Sequence, residues 1–279
     1  MIVKHKLIAI LVSLLPVIVT ASSTSEETER QPKAEDFFEI GAGFSIIDVP
    51  HYAGSDEKNT YVVPFPYFVY QSDKVSLNRE GLKRHISSTN KWDLDISFAG
   101  TLPLDSEDND ARQGMQDLDW VGLGGPSINY HAYNSENSRV KIILPVRFGI
   151  ATDFRSADYV GWEFSPGVRF EHTFHQQSTK WKFLTSANYF YASEKFNDYY
   201  YSVDQAYATA ERPEYQAEAG NAGYQAMFGL TRRDGNFWSG GFLRYRSVSG
   251  ATFEDSPLVR KQDNFYIGVA FAWIIHSSK

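Results

Sequence analysis

Long stretches of strict two-residue alternation constrain this chain more than any other feature. The last of them reads DNFYIGVAFAW (263–273). Phe265, Ile267, Val269, Phe271 and Trp273 fall on one face, and Tyr266, Gly268, Ala270 and Ala272 on the other. Period two is strand geometry, because successive side chains of a strand point to opposite sides. The pattern recurs in KWDLDISFAGT, where Trp92, Leu94, Ile96 and Phe98 oppose Asp93, Asp95, Ser97 and Ala99. In RVKIILPVRFGIA the apolar positions Val140, Ile142, Leu144, Val146, Phe148 and Ile150 oppose Lys141, Pro145, Arg147 and Gly149. In VGWEFSPGVRFEHTF, Val160, Trp162, Phe164, Val168, Phe170 and Phe174 oppose Gly161, Glu163, Ser165, Gly167, Arg169, Glu171 and Thr173. Further segments lie at 37–47, 60–70, 75–86, 118–131, 180–192, 222–233, 236–248 and 265–275. No amphipathic helix of ten or more residues stands out, and the fold class is all-β.

Strand length separates a soluble sandwich from a membrane barrel. Soluble strands usually run about 5–6 residues, whereas a tilted membrane strand needs about 9–11, with lipid-facing side chains alternating with a polar interior. The segments here are of the second length, and their second face repeatedly carries Lys, Arg, Glu and Asp. The expectation is a transmembrane antiparallel β-barrel over 37–279. Phe265, Ile267, Val269, Phe271 and Trp273 then face lipid, and Lys141, Arg147, Glu163, Arg169 and Glu171 face the lumen.

Connections alternate in length. Arg233-Asp234-Gly235-Asn236 carries the Asp-Gly hairpin signal, and 175–179, 134–138 and 87–90 are also short; 102–117, 153–159, 193–221 and 249–264 are longer. Short periplasmic turns and longer extracellular loops are the barrel pattern. Parity requires an even number of strands, and splitting 75–86 at Asn78-Arg79-Glu80-Gly81 brings the total to about twelve (10–12). A further strand near 195–205 is the alternative.

The N-terminus reads as a targeting segment. Lys4 and Lys6 precede the apolar run LIAILVSLLPVIV, and Val19-Thr20-Ala21 fits a cleavage site. The run is short of the ~20 residues of a spanning helix. A signal peptide over 1–21 and a flexible polar leader over 22–36 are therefore expected, and the chain is exported. Loss of Lys4 and Lys6 lowers Lys+Arg from 27 to 25 against 34 Asp+Glu, a net charge of −9. So acidic a chain has no electrostatic reason to bind nucleic acid. The absence of cysteine excludes disulfides and a lipoprotein anchor.

Few residues suggest chemistry. Asp105-Ser106-Glu107-Asp108-Asn109-Asp110 crowds oxygen ligands together, but Asp110 stands where a calcium loop needs glycine. A surface loop pairing with Arg112 is the simpler expectation. His172 and His175 fall on opposite faces of a strand, and His51, His85 and His131 have no neighbouring partner in sequence. There is no Gly-x-Ser-x-Gly and no His-Glu-x-x-His. No catalytic, metal or cofactor residues are assigned, and no enzyme is expected. Arg212-Pro213-Glu214-Tyr215 and Asp255-Ser256-Pro257 read as punctuation in exposed loops, where partner contacts concentrate.

Three stretches resemble the MipA/OmpV family of outer-membrane proteins, the MltA-interacting proteins. They are PHYAGSDEKNTYVVPFPYFVY (50–70), LPLDSEDNDARQGMQDLD (102–119) with Gly125-Pro126 after it, and residues 211–273, which include the Arg-Pro-x-Tyr loop and the Asp-Ser-Pro-Leu-Val segment. The resemblance implies an outer-membrane barrel that acts as a scaffold for murein (peptidoglycan) synthesis and remodelling. Its partners would be a lytic transglycosylase and a bifunctional penicillin-binding protein, besides outer-membrane lipids. A porin-like channel for small solutes is the alternative. Such proteins commonly end on an aromatic residue in the last strand; here IIHSSK follows Trp273, so either the assembly signal tolerates an extension or Ile275 stays in the strand and the tail frays.

Overall fold

A computed structural model describes residues 37–71, 75–78, 81–84, 87–88 and 91–278. The segments expected as signal peptide (1–21) and leader (22–36) lie outside these residues, as do His85, Arg79 and Glu80. The strands in chain order are β1 (Phe37–Pro50), β2 (Lys58–Gln71), β3 (Val75–Asn78), β4 (Gly81–Arg84), β5 (Ser87–Ser88), β6 (Trp92–Thr101), β7 (Trp120–Asn134) and β8 (Ser138–Thr152). They continue with β9 (Ala157–Phe164), β10 (Gly167–Gln176), β11 (Thr179–Ala192), β12 (Gly220–Asp234), β13 (Phe237–Ser247) and β14 (Asp263–Ser277). One helix, α1 (Glu194–Tyr201), follows β11.

All strands belong to one sheet, ordered β4-β3-β2-β1-β14-β13-β12-β11-β10-β8-β7-β6-β5, with β9 bridging β8 and β11. Every described pair is antiparallel, including the first and last long strands, where Phe44 faces Phe271 and Asp48 faces Ile267. At the other end of the order β4 lies against β6. The ribbon thus meets itself, and the fold is an antiparallel barrel. β9 and β10 are two parts of one pass along β8, interrupted at Ser165-Pro166 because proline cannot donate to the ladder. Counting them once and setting aside the two-residue β5, the fourteen strands among the described residues reduce to twelve. The division of 75–86 is present: β3 and β4 form a short hairpin with Asn78 opposite Gly81. The alternative strand near 195–205 is helix instead.

Two local departures from simple alternation matter. A bulge at Gly161, whose φ is +106°, shifts the β8–β9 register. It turns Val160 inward, 4% exposed, and leaves Tyr159 outside, so Val160 does not share a face with Trp162 and Phe164 as the alternation predicts. A second bulge, at Ile40/Gly41, lets β14 continue past Trp273. Ile274 turns inward, Ser277 pairs with Glu39, and the Ser278 amide donates to the Phe38 carbonyl at 3.0 Å. The tail therefore extends the last strand rather than fraying at Ile275.

The outer face is apolar on every long strand. Ile46, Val62, Phe98, Phe148, Phe228, Leu243 and Ile267 are among its exposed side chains. Aromatic pairs band both ends: Trp92–Tyr130, Phe174–Trp181 and Phe237–Trp273 at one, Trp162–Tyr191, Tyr224–Tyr245 and Tyr245–Phe265 at the other. From Phe265 to Trp273 is about 27 Å of strand, or roughly 20 Å of depth at the usual barrel tilt, near the ~25 Å apolar band of a membrane barrel. The inner face of β14 is small, and Gly240 and Gly43 stand beside it on β13 and β1, for a packing reason. A Cβ on Gly268 would lie 2.4 Å from the Phe242 ring, one on Gly240 2.7 Å from the Trp238 ring, and one on Gly43 2.8 Å from the Phe65 ring. The glycines make room for aromatic rings lying flat along the inner wall.

Gly125 tests the packing of the wall. A Cβ there would stand 2.1 Å from the Val146 carbonyl oxygen on the neighbouring strand. Wild-type protein should migrate differently on a gel before and after boiling, whereas Gly125→Val should give one unfolded band in both lanes.

Candidate functional site

The two ends of the barrel differ in how their strands are connected. At the turn end, strands are joined by 135–137, 177–178 and 235–236. At the loop end the connections are 51–57, 102–119, 153–156, 193–219 and 248–262. The 153–156 connection, expected to be long, is a four-residue turn in which the Asp153 carboxylate accepts from the Arg155 and Ser156 amides at 2.9 and 2.7 Å.

The other loops fold together into a cap. Its core joins Tyr52 of the first loop, Leu104 and Leu118 of the second, Tyr200, Tyr201 and Ala217 of the third, and Val248, Ala251 and Phe253 of the last. Tyr201 stacks on Phe253 with centroids 3.7 Å apart, and Phe253 is 1% exposed. Helix α1 is central. Ser193 caps its N-terminus, accepting from the Phe196 amide and also from the Trp162 amide of β9 at 3.0 Å. It sits so close to β9 that a Cβ on Gly161 would be 2.6 Å from the Phe196 nitrogen. Only glycine serves at that position.

Two buried arginines tie the cap through carbonyl oxygens rather than carboxylates. Arg112 donates to the carbonyls of Tyr200 and Gln116, both at 3.1 Å. Its charge also lies at the C-terminal end of α1, where a cation is favoured. Arg212 donates to the carbonyls of Ala111, Gln113 and Tyr207 at 3.1, 2.9 and 2.8 Å. Arg112 meets the run 105–110 through the Ser106 hydroxyl, 3.4 Å from its Nε, rather than through a carboxylate. Asp105 caps a short 3-10 turn over Ser106–Asp108, and Asp117 accepts from the Ser106 amide at 2.7 Å. Among the described residues no three His, Asp or Glu side chains are grouped as a metal site would need. Ser256 likewise donates to the Tyr201 carbonyl at 2.7 Å. Both loop motifs therefore clamp the cap internally instead of standing free for a partner.

Below the cap, the inner wall carries charged side chains. Arg147 and Glu163 meet at 2.8 Å, and Arg147 also donates to Ser165 and Ser97 at 2.8 and 2.9 Å. Glu171 lies 3.3 Å from Lys182. Lys141 and Arg169 stand in register on β8 and β10. On β6 and β7, Asn129 donates to both Asp93 and Asp95, and His131 contacts Asp93. His131 thus gains a partner 38 positions away, and His51 meets the Asn109 side chain at 3.0 Å. At the turn end Tyr67, Trp238, Ala272 and Ile274 pack together beside the Arg233–Glu39 pair at 2.9 Å. Phe265, Ile267, Val269 and Trp273 are 42–55% exposed on the outside, and Phe271 is half-buried there. The residues not singled out from sequence are Tyr200, Tyr201 and Phe253 in the cap and Arg244 and Arg246 inside β13. Alternation along FWSGGFLRYRS (237–247) was sufficient to place the last two inward; the cap contacts leave no periodic signal.

The model of the family described as MltA-interacting protein MipA matches residues 40–275, strands and cap together. The chain belongs to the MipA family. No curated protein sequence matches it. Among solved structures, a bacterial polysaccharide outer membrane secretin has a TM-score of 0.40 at 9% identity, covering 86% of this chain and 98% of its own. The NanC porin has 0.38 at 7% identity, covering 84% and 98%. The CymD monoaromatic hydrocarbon channel has 0.30 at 10% identity, covering 87% and 89%. In this MipA-family chain the loop end folds into one hydrogen-bonded body.

Two expectations follow for the cap. Arg112→Ala leaves the Tyr200 and Gln116 carbonyls without their donor, costing about 3 kcal/mol, roughly 100-fold in the opening equilibrium. Trypsin should then cut within 102–119 and 193–219 far faster than in wild type, while the barrel keeps its heat-modifiable band. Burial raises the pKa values of Tyr52, Tyr200 and Tyr201 above the ordinary 10.0. The folded cap holds the neutral phenols, so its stability is full below pH 10 and falls as the pH rises beyond it. Trypsin, still active at pH 10.5–11, should release cap fragments there faster than at pH 8, after correction with an unstructured peptide.

Proposed function

We propose that the protein is a non-enzymatic outer-membrane barrel that holds murein-synthesising and murein-remodelling enzymes at the membrane, reaching it through a cleaved signal peptide over 1–21. The apolar outer face with its two aromatic bands supports the membrane location, with Phe265, Ile267, Val269, Phe271 and Trp273 against lipid. The observation that carries the scaffold role is the cap. The longer loops of the loop end are committed to contacts with one another. What remains for partners is the turn end, comprising the turns at 135–137, 177–178 and 235–236 and the two tails, placed in the periplasm where murein enzymes work. The family description, MltA-interacting protein, supports the same partner class, namely a lytic transglycosylase together with a bifunctional penicillin-binding protein. No catalytic role is assigned to any residue.

A second reading, a porin-like channel for small solutes, is favoured by one observation, the polar inner wall from Asp93 to Arg246. Detergent-refolded mature protein, immobilised and exposed to the purified lytic transglycosylase and penicillin-binding protein, should retain both. An unrelated barrel of similar charge should retain neither. Equal retention by the two barrels would overturn the scaffold, and solute flux in liposomes would then decide for the channel.

A further inference from the structure

The arginines inside β13 are treated differently from those in the cap. Arg112 and Arg212 are surrounded by carbonyl acceptors. Arg244 has no hydrogen-bond or ion-pair partner among the described residues, and its Nε is buried and unsatisfied. Its guanidinium lies 5.7 and 5.4 Å from the ring centroids of Phe242 and Tyr266. Arg246 donates one bond, from Nη2 to the Ala222 carbonyl at 2.7 Å, and stacks 3.7 Å over Phe190, but its Nη1 is unsatisfied. Both residues are half-buried.

Their neighbours offer no compensating charge. Across the strands, Arg244 faces Met227 and Tyr266, and Arg246 faces Gln225 and Asn264. Asn264 is already engaged, accepting from the Gly54 amide and donating to the Ser55 carbonyl, both at 2.7 Å. The acidic group acting on Arg246 is Glu163, which is committed to Arg147 at 2.8 Å. Glu163 is thus shared between Arg147 and Arg246, and among the described residues no carboxylate pairs with Arg244. Positions two apart on a strand share a face about 7 Å apart. Two unpaired like charges held so close inside a protein repel unless an anion lies between them.

We propose that the lumen beneath the cap is a binding site for a small multivalent oxyanion, a polycarboxylate or a phosphate, with Arg244 and Arg246 as its paired donors. The spacing suits two oxyanion groups of one molecule, and the planar guanidinium forks suit carboxylate and phosphate alike. The site goes beyond the scaffold role and is tested without any murein enzyme.

The experiment uses full-length mature protein refolded from inclusion bodies into neutral detergent, and therefore free of lipopolysaccharide. Citrate and inorganic phosphate are titrated separately by calorimetry, with spermidine as the cationic control. At least one anion should bind saturably, and the pair of results assigns the site to carboxylate or phosphate. The double variant Arg244→Gln/Arg246→Gln should weaken that binding at least tenfold, and Arg155→Gln, in an exposed turn, should leave it unchanged. A second measurement needs no variant. Phenylglyoxal labelling of wild type, read by mass spectrometry, should be suppressed at Arg244 and Arg246 by the binding anion and unchanged at Arg155. Absence of saturable binding by both anions, undiminished binding in the folded double variant, or unprotected labelling at both arginines would each overturn the site.

Discussion

A strand in a membrane has no water to satisfy its backbone, so each amide and carbonyl must find a partner in the protein. The pairing of the first and last long strands, from Glu39–Ser277 to Asp48–Ile267, is where this chain meets that demand. It sets the tilt and register of the wall, and with them which side chains point in. The inner face of β14 is built of Gly268, Ala270 and Ala272 because the rings of Phe65, Trp238 and Phe242 occupy the space beside it. Outer bulk and inner smallness are two sides of one packing solution.

The cap follows from the same economy of partners. Long loops would otherwise leave dozens of polar backbone groups to water, in contact with nothing that orders them. Here two arginines, several serines and asparagines and one helix absorb those groups, and an aromatic cluster centred on Tyr201 and Phe253 excludes water from them. Buried hydrogen-bonded polar groups of this kind fix one arrangement rather than many. The contrast with Arg244 and Arg246, whose donors are not all absorbed, is what makes those two conspicuous.

Much of the wall was legible in the sequence because alternation is a local property. The inward placement of Arg147 and Glu163, and the hairpin at Asn78–Gly81, follow from counting residues. Where counting failed, a single glycine or proline had reset the count. Gly161 turned Val160 inward, Ser165-Pro166 divided one pass into β9 and β10, and the bulge at Gly41 carried β14 to Ser277. The cap was not legible for a different reason. Its contacts join residues such as Tyr52 and Leu258, 206 positions apart, and Arg212 or Ser256 in a loop looks the same whether it meets water or a carbonyl.

The cap also crosses the seam of the barrel. Tyr52 donates to the Leu258 carbonyl, the Arg260 and Lys261 amides donate to the Gly54 carbonyl, and Asn264 holds both Gly54 and Ser55. One side of each contact comes from the loop after the first strand and the other from the segment leading into or opening the last. A chain whose ends have not yet met possesses only half of this joint. The finished cap is thus a joint across the seam, and an intact cap reports a barrel whose first and last strands have met.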